Sequence, residues 1–149
     1  MASNTLLSRK EYSIDELKKF LKEEKGLSPS VHRVNILKFL LENRIHPTAE
    51  EIYSHLKQTI PVLSLTTVYN TLKLFVKHNI VVPLTLEEEV VRYDINTEPH
   101  SHFKCLKCGK IYDIMSDNLN LPEIKEIEGH SVDFYQFYFY GICKECRKE

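Results

Sequence analysis

Thr48 to Asn79 reads TAEEIYSHLKQTIPVLSLTTVYNTLKLFVKHN. Thr48-Ala49-Glu50-Glu51 is a capping box: Thr48 caps a helix and Glu51, three residues on, reaches back to the cap. Ile52, Tyr53 and Leu56 follow at helical spacing. Pro61 breaks the chain, and Ser64 or Thr66 starts another helix that runs to about Asn79. The link through Ile60, Pro61, Val62 and Leu63 has room only for a turn, so the pair reads as a helix-turn-helix. On the later helix Val68, Leu72, Phe75 and Val76 share one face and are expected in the core. Thr66, Asn70, Lys73 and Lys77 lie on the other, with Tyr69 at its flank.

The flanking sequence completes this motif. Ser13-Ile14-Asp15-Glu16 is a second capping box, followed by Ile14, Leu17, Phe20 and Leu21 at helical spacing and ended by Gly26. Ser30 caps a helix with a stripe of Val34, Leu37, Leu40 and Leu41. After the motif, Ile80 to Leu86 and Val90 to Ile95 are rich in β-branched residues and flank Glu87-Glu88-Glu89, a solvated hairpin tip. Four helices and a hairpin make a winged helix-turn-helix. The expected fold class is α+β. A winged-helix DNA-binding domain fills residues 1–95, and a small α/β dimerisation domain with a four-cysteine zinc site fills 96–149.

Composition bounds the function. Among 149 residues, 42% are hydrophobic and 28% charged, a globular balance that excludes disorder and collagen. No apolar run approaches the ~20 residues of a membrane span, and residues 1–10 lack the apolar core of a secretory signal. A cytoplasmic location is expected. The net charge of −1 is silent about nucleic acid, so local distribution must carry that case. From Ile52 to Leu86 there is no Asp or Glu, while Lys57, Lys73 and Lys77 are present. A phosphate-facing surface needs such a clearing, because each carboxylate repels the backbone. Short hydrogen-bonders (Ser64, Thr66, Thr67 and Asn70) at the start of the helix suit base edges, and the lysines further along suit phosphates. The alternative is a polar helix face with few acids by chance.

The second half holds the cysteines. Cys105 and Cys108 form one C-x-x-C, and Cys143 and Cys146 another. Two thiolates three apart on a tight turn can face one ion, and two such knuckles complete a tetrahedral zinc cage. A redox pair is the alternative, but neither motif sits in a thioredoxin-like βαβ context. A closed four-sulfur site stabilises a fold and performs no chemistry. Phe103 to Cys105 and Lys110 to Ile114 read as strands, and Pro122 to Glu128 as a short helix. Val132 to Tyr140 reads as a strand with both faces largely apolar, buried on both sides or meeting a partner, so this half is assigned to dimerisation.

His100-Ser101-His102 puts two imidazoles on one side of an extended segment. Asp94 ends the strand before them, Asp113 ends the strand after the first knuckle, and His46 precedes the capped helix. Nitrogen and oxygen donors without sulfur suit Fe2+, Mn2+, Zn2+, Ni2+ or Cu2+. His32, His55, His78 and His130 stand alone and are assigned to the surface or to satisfied core positions.

Together, His46-Pro47-Thr48-Ala49-Glu50-Glu51-Ile52-Tyr53, Ser64-Leu65-Thr66-Thr67-Val68-Tyr69-Asn70, Arg92-Tyr93-Asp94, His100-Ser101-His102, Cys105-Leu106-Lys107-Cys108-Gly109-Lys110 and Cys143-Lys144-Glu145-Cys146 resemble the ferric uptake regulator (Fur) family. The resemblance spans roughly Ser30 to Arg147. It implies a dimeric winged-helix repressor of a palindromic double-stranded DNA operator, with structural Zn2+ on the four cysteines. It also implies a regulatory Fe2+ or Mn2+ between the domains, held by His46, Asp94, His100, His102 and Asp113. Asp113, where iron-uptake repressors typically carry Glu, makes the chain most similar to the peroxide-sensing (PerR) branch. There iron-catalysed oxidation of a ligand, His46 or His100, ends repression. Phe134-Tyr135-Gln136-Phe137 offers no His for the additional metal site many members carry. The family's usual Thr-Pro-Gln-Arg reads Ser30-Val31-His32-Arg33 here, and Arg33 still suits a DNA contact.

Other functions compete with this expectation. A sensor of iron, zinc, manganese or nickel availability would use the same donors. Two histidines and a carboxylate with open positions also mark non-haem Fe(II) oxygenases, and a hydrolytic zinc site would need a spare general base and an open position, but the plausible carboxylates are all used as ligands and no pocket-forming scaffold for a small organic substrate is evident. A zinc-ribbon interaction module without a DNA role is the remaining alternative.

Overall fold

A computed structural model of the chain describes residues 11–115, 119 and 123–148. The chain divides into two compact units, Met1–Glu98 and Pro99–Glu149.

In the first unit, α1 (Ile14–Lys19) starts at Ser13, whose Oγ accepts the Glu16 N–H at 3.2 Å while Glu16 Oε2 accepts the Ser13 N–H at 3.0 Å. It continues through a π-helical turn over Phe20–Glu24. Gly26, at φ +66°, lets the Leu27 N–H fold back onto the Leu21 carbonyl at 2.8 Å. Helix α2 (Val31–Glu42) is capped by Ser30, and α3 (Ala49–Leu56) by the Thr48–Glu51 box. The Ser64 hydroxyl, rather than that of Thr66, starts α4 (Leu65–Lys77) by accepting the Thr67 N–H at 3.1 Å. The wing pairs β1 (Val82–Leu84) with β2 (Arg92–Asp94) antiparallel, Val82 opposite Asp94 and Leu84 opposite Arg92.

The core forms where the apolar stripes meet. Leu17, Leu21, Ile36, Leu37, Leu40, Ile52, Val68, Leu72, Phe75 and Ile80 are buried together. Val76, expected there, is only partly buried, and Thr71 is buried on the same side of α4. Thr66, Asn70, Lys73 and Lys77 are exposed.

In the second unit, β3 (Ser101–Cys105) is central. It pairs antiparallel with β4 (Ile111–Ile114) and parallel with β7 (Tyr138–Gly141), in the order β4-β3-β7. Two expectations are corrected here. Glu123–Glu128 is not helical: β5 (Glu126–Ile127) turns into β6 (His130–Ser131) as a hairpin, while Pro122 lies outside the described residues. Glu128 and Gly129, both left-handed at φ +50° and +82°, form a mirror-image turn that glycine favours, and they outweigh a weak helical pattern. The strand expected from Val132 begins only at Tyr138, because its ladder with β3 spans just His102 to Cys105.

Candidate metal centres and nucleic-acid interface

The cysteines sit where β3 and β7 end. Cys105 is the last residue of β3, and Cys143 follows β7 by two. Gly109, at φ +74°, closes the first knuckle with its N–H on the Cys105 carbonyl at 2.9 Å. The amides of Cys108 and Cys143 donate to Cys105 Sγ at 3.5 and 3.3 Å, and the Cys146 amide donates to Cys143 Sγ at 3.5 Å. All four sulfurs lie within 4.8 Å of one another, with Cys108 and Cys143 3.9 Å apart. Sulfurs 2.3 Å from a tetrahedral zinc are separated by about 3.8 Å, so the cage has the right size. Its acid–base state fits as well. The Cys108 and Cys143 amides stabilise the Cys105 thiolate and lower it to about 6. Cys146, hydrogen-bonded to Cys143 and crowded by the other sulfurs, is pushed up to about 12. Thiols so close cannot all ionise without a cation, and a dication removes that obstacle. Tyr112 braces the cage by donating to Glu145 Oε2 at 2.8 Å, and this bond is the main cause of the lowered Glu145 carboxyl.

The nitrogen and oxygen donors form a group in each unit. In the second, His100 and His102 lie on one side of the strand, as the two-residue alternation requires. His102 stands opposite Asp113 across the β3–β4 ladder. His100 Nε2 and His102 Nε2 lie 3.4 and 3.3 Å from the same Asp113 Oδ1, and the two rings are 4.5 Å apart. In the first, His46 Nε2 lies 3.5 Å from Asp94 Oδ2, both side chains buried. These separations exceed the usual 2.7–3.2 Å of N–H···O bonds. Two donors about 2.1 Å from one ion lie roughly 3.0–3.4 Å apart; the pairs at 3.3 and 3.4 Å fall in that range and the His46–Asp94 pair at 3.5 Å lies just above it.

His46 is held in an unusual backbone. Its φ is +54°, the left-handed region, directly before Pro47. Such a conformation costs about 1–3 kcal/mol and persists only where neighbours over-determine it. Here Arg92 Nη1 donates to the His46 carbonyl at 3.2 Å, and the Tyr93 amide donates to the Pro47 carbonyl at 3.0 Å.

The expected DNA-contacting residues gather along α4 and the start of α2. Ser30, His32, Arg33, Thr67 and Asn70 line an open groove of about 210 Å³ between these helices. Ser64 and Thr67 hydroxyls bond each other at 2.8 Å, and Arg33 Nη1 donates to the Ser28 carbonyl at 2.8 Å. Tyr69 donates its hydroxyl to Glu50. Neither Glu50 nor Arg92 is marked out by spacing as a functional residue. Their partners are 19 and up to 46 residues away, so no local pattern reveals them.

A winged helix with a cleared polar face, carried beside sulfur and His/Asp metal sets, defines a metal-responsive DNA-binding regulator. The ferric uptake regulator family model matches residues 24–140, and the chain belongs to that family. It is 39% identical over 126 residues to the peroxide-responsive repressor PerR of Staphylococcus aureus (strain Mu50 / ATCC 700699), covering 82% of this chain and 84% of that protein. The iron-containing ferric uptake regulator of Francisella tularensis superposes with a TM-score of 0.68 at 32% identity, covering 82% and 96% of the two chains. The Campylobacter jejuni peroxide stress regulator gives 0.65 at 30%, covering 91% and 100%. Each of these relatives is a repressor or regulator. Among the described residues, no helix is long and apolar enough to cross a membrane.

Proposed function

We propose that this chain is a cytoplasmic, homodimeric repressor of a palindromic DNA operator that senses peroxide through a regulatory Fe2+. Zn2+ on Cys105, Cys108, Cys143 and Cys146 secures the dimerisation unit. His46, Asp94, His100, His102 and Asp113 act as one ligand set for Fe2+ or Mn2+. Arg33, Ser64, Thr66, Thr67, Tyr69, Asn70, Lys73 and Lys77 form the surface that reads DNA. The observation that carries this is the ligand-like spacing of each imidazole and carboxylate, 3.3 to 3.5 Å, in a family member whose PerR relative is peroxide-responsive.

Two donors from one unit and three from the other are each an incomplete set, and together they give a five-coordinate N/O site. Metal can favour the DNA-binding conformation only through differential affinity, and a full switch takes about 5.5 kcal/mol. Recognition helices of the dimer would then meet half-sites roughly 34–36 Å apart. Fe2+ held by His46, Asp94, His100, His102 and Asp113 would supply the redox chemistry that activates peroxide, with the imidazole as the net two-electron reductant. In net terms, one peroxide oxygen is added to the imidazole carbon of His46 or His100 and water leaves. An oxidised ring ligates poorly, so the ligand set fails and repression ends. Mn2+ would support repression without this oxidation.

Mass spectrometry after peroxide treatment tests the proposal. One added oxygen is expected on a His46 or His100 peptide in the Fe2+ protein and none in the Mn2+ protein. An unmodified Fe2+ protein would leave a sensor of metal availability.

A further inference from the structure

Arg92 grips three separate elements with one guanidinium. Its Nε donates to Glu87 Oε1 in the wing turn at 2.7 Å. Its Nη1 donates to the His46 carbonyl at 3.2 Å and lies 3.6 Å from Glu51 Oε2. That same Glu51 oxygen accepts the Thr48 N–H at 2.8 Å and so closes the start of α3. The Arg92 backbone adds two more ties, bridging to Thr48 on one side and pairing with Leu84 on the other. Asp94 lies two residues further along the same strand. A planar fork with five donors can hold such divergent acceptors together, and the single ammonium of lysine cannot.

We infer that Arg92 is a positioning residue that carries metal occupancy at His46 and Asp94 to the wing turn and to the start of α3. This rests on the reading of His46 and Asp94 as metal ligands. When both side chains are held by a common ion, the left-handed His46 backbone loses its freedom, and its carbonyl becomes a fixed anchor for the guanidinium. One branch then orders the wing through Glu87. The other holds Glu51 and the capped end of α3, whose second residue, Glu50, restrains Tyr69 on the reading helix. Wing and reading helix thus respond to one event through one side chain.

The test uses the full-length, zinc-loaded protein with Mn2+ as the probe. Calorimetry gives Mn2+ affinity, and hydrogen–deuterium exchange of residues 82–94 and 47–52 is followed with and without Mn2+. In the wild type, Mn2+ should slow wing exchange by about tenfold. Arg92→Lys should bind Mn2+ within about threefold of wild type, while the Mn2+-dependent slowing in the wing falls below about twofold. Glu87→Ala, which removes the acceptor of the wing branch, should lose the wing response and keep that of residues 47–52. It also serves if Arg92→Lys folds poorly. A purely structural Arg92 would raise exchange equally with and without Mn2+ and leave the difference intact, which overturns the inference. So does a wild-type wing that ignores Mn2+ although binding depends on His46. Mn2+ affinity unmoved by His46→Ala overturns instead the ligand reading, and the inference with it.

Discussion

Glu50 brings a carboxylate to the flank of a helix face otherwise cleared of acids. Its bond from the Tyr69 hydroxyl favours the ionised carboxylate and the protonated phenol, so Glu50 titrates below its ordinary 4.5 and Tyr69 above its ordinary 10.0. Glu50's contribution is therefore complete above pH 4.5 and is lost as pH falls through its lower folded value. Tyr69's is complete below pH 10.0 and is lost as pH rises through its higher folded value. Between those limits the restraint on the ring does not depend on pH. Glu50→Gln should return the Tyr69 ionisation towards 10.0, read by NMR of ring-labelled tyrosine against a Tyr69→Phe blank. A Tyr69 titration unchanged by Glu50→Gln would show that the bond does not restrain the ring. No spacing rule finds this pair, whereas the His100–His102 alternation is legible because it needs only the two-residue period of a strand.

At the scale of elements, the caps explain why the helices of the first unit are legible. Ser13, Ser30, Thr48 and Ser64 each accept an amide three residues on, a local bond written in local sequence. Thr48→Ala should cost about 0.5–2 kcal/mol, visible as a lower urea midpoint at unchanged slope. A midpoint equal to wild type would mean that Arg92 and Glu51 hold the start of α3 without the hydroxyl. Strands of the second unit were less legible because their limits are set by partners. Phe134 and Tyr135 read as strand by composition, yet they lie outside the ladder that β3 offers and are exposed, Phe134 at 81%. Likewise, residues 126–131 turn on the left-handed Glu128-Gly129 pair, which a helical pattern read from Pro122 overlooks.

For the whole molecule, the proposed five-ligand set makes metal and operator binding reciprocal. His46→Ala should reduce operator affinity with Mn2+ present to the metal-free level, at least about tenfold, or ~1.4 kcal/mol. Fluorescence anisotropy with and without Mn2+ reads this directly, and full metal-dependent binding by the variant would rule the shared set out. The sulfur cage acts on a different variable, the topology of the chain. Strands β3 and β7 run in the same direction, so no tight turn can join them, and the Cys143 amide reaches Cys105 across 38 positions. Closing so long a loop is slow and entropically unfavourable until something rewards the encounter. Zinc capture would be that reward, so zinc supplied to a newly made, reduced chain should quicken the maturing of this half as well as strengthen it.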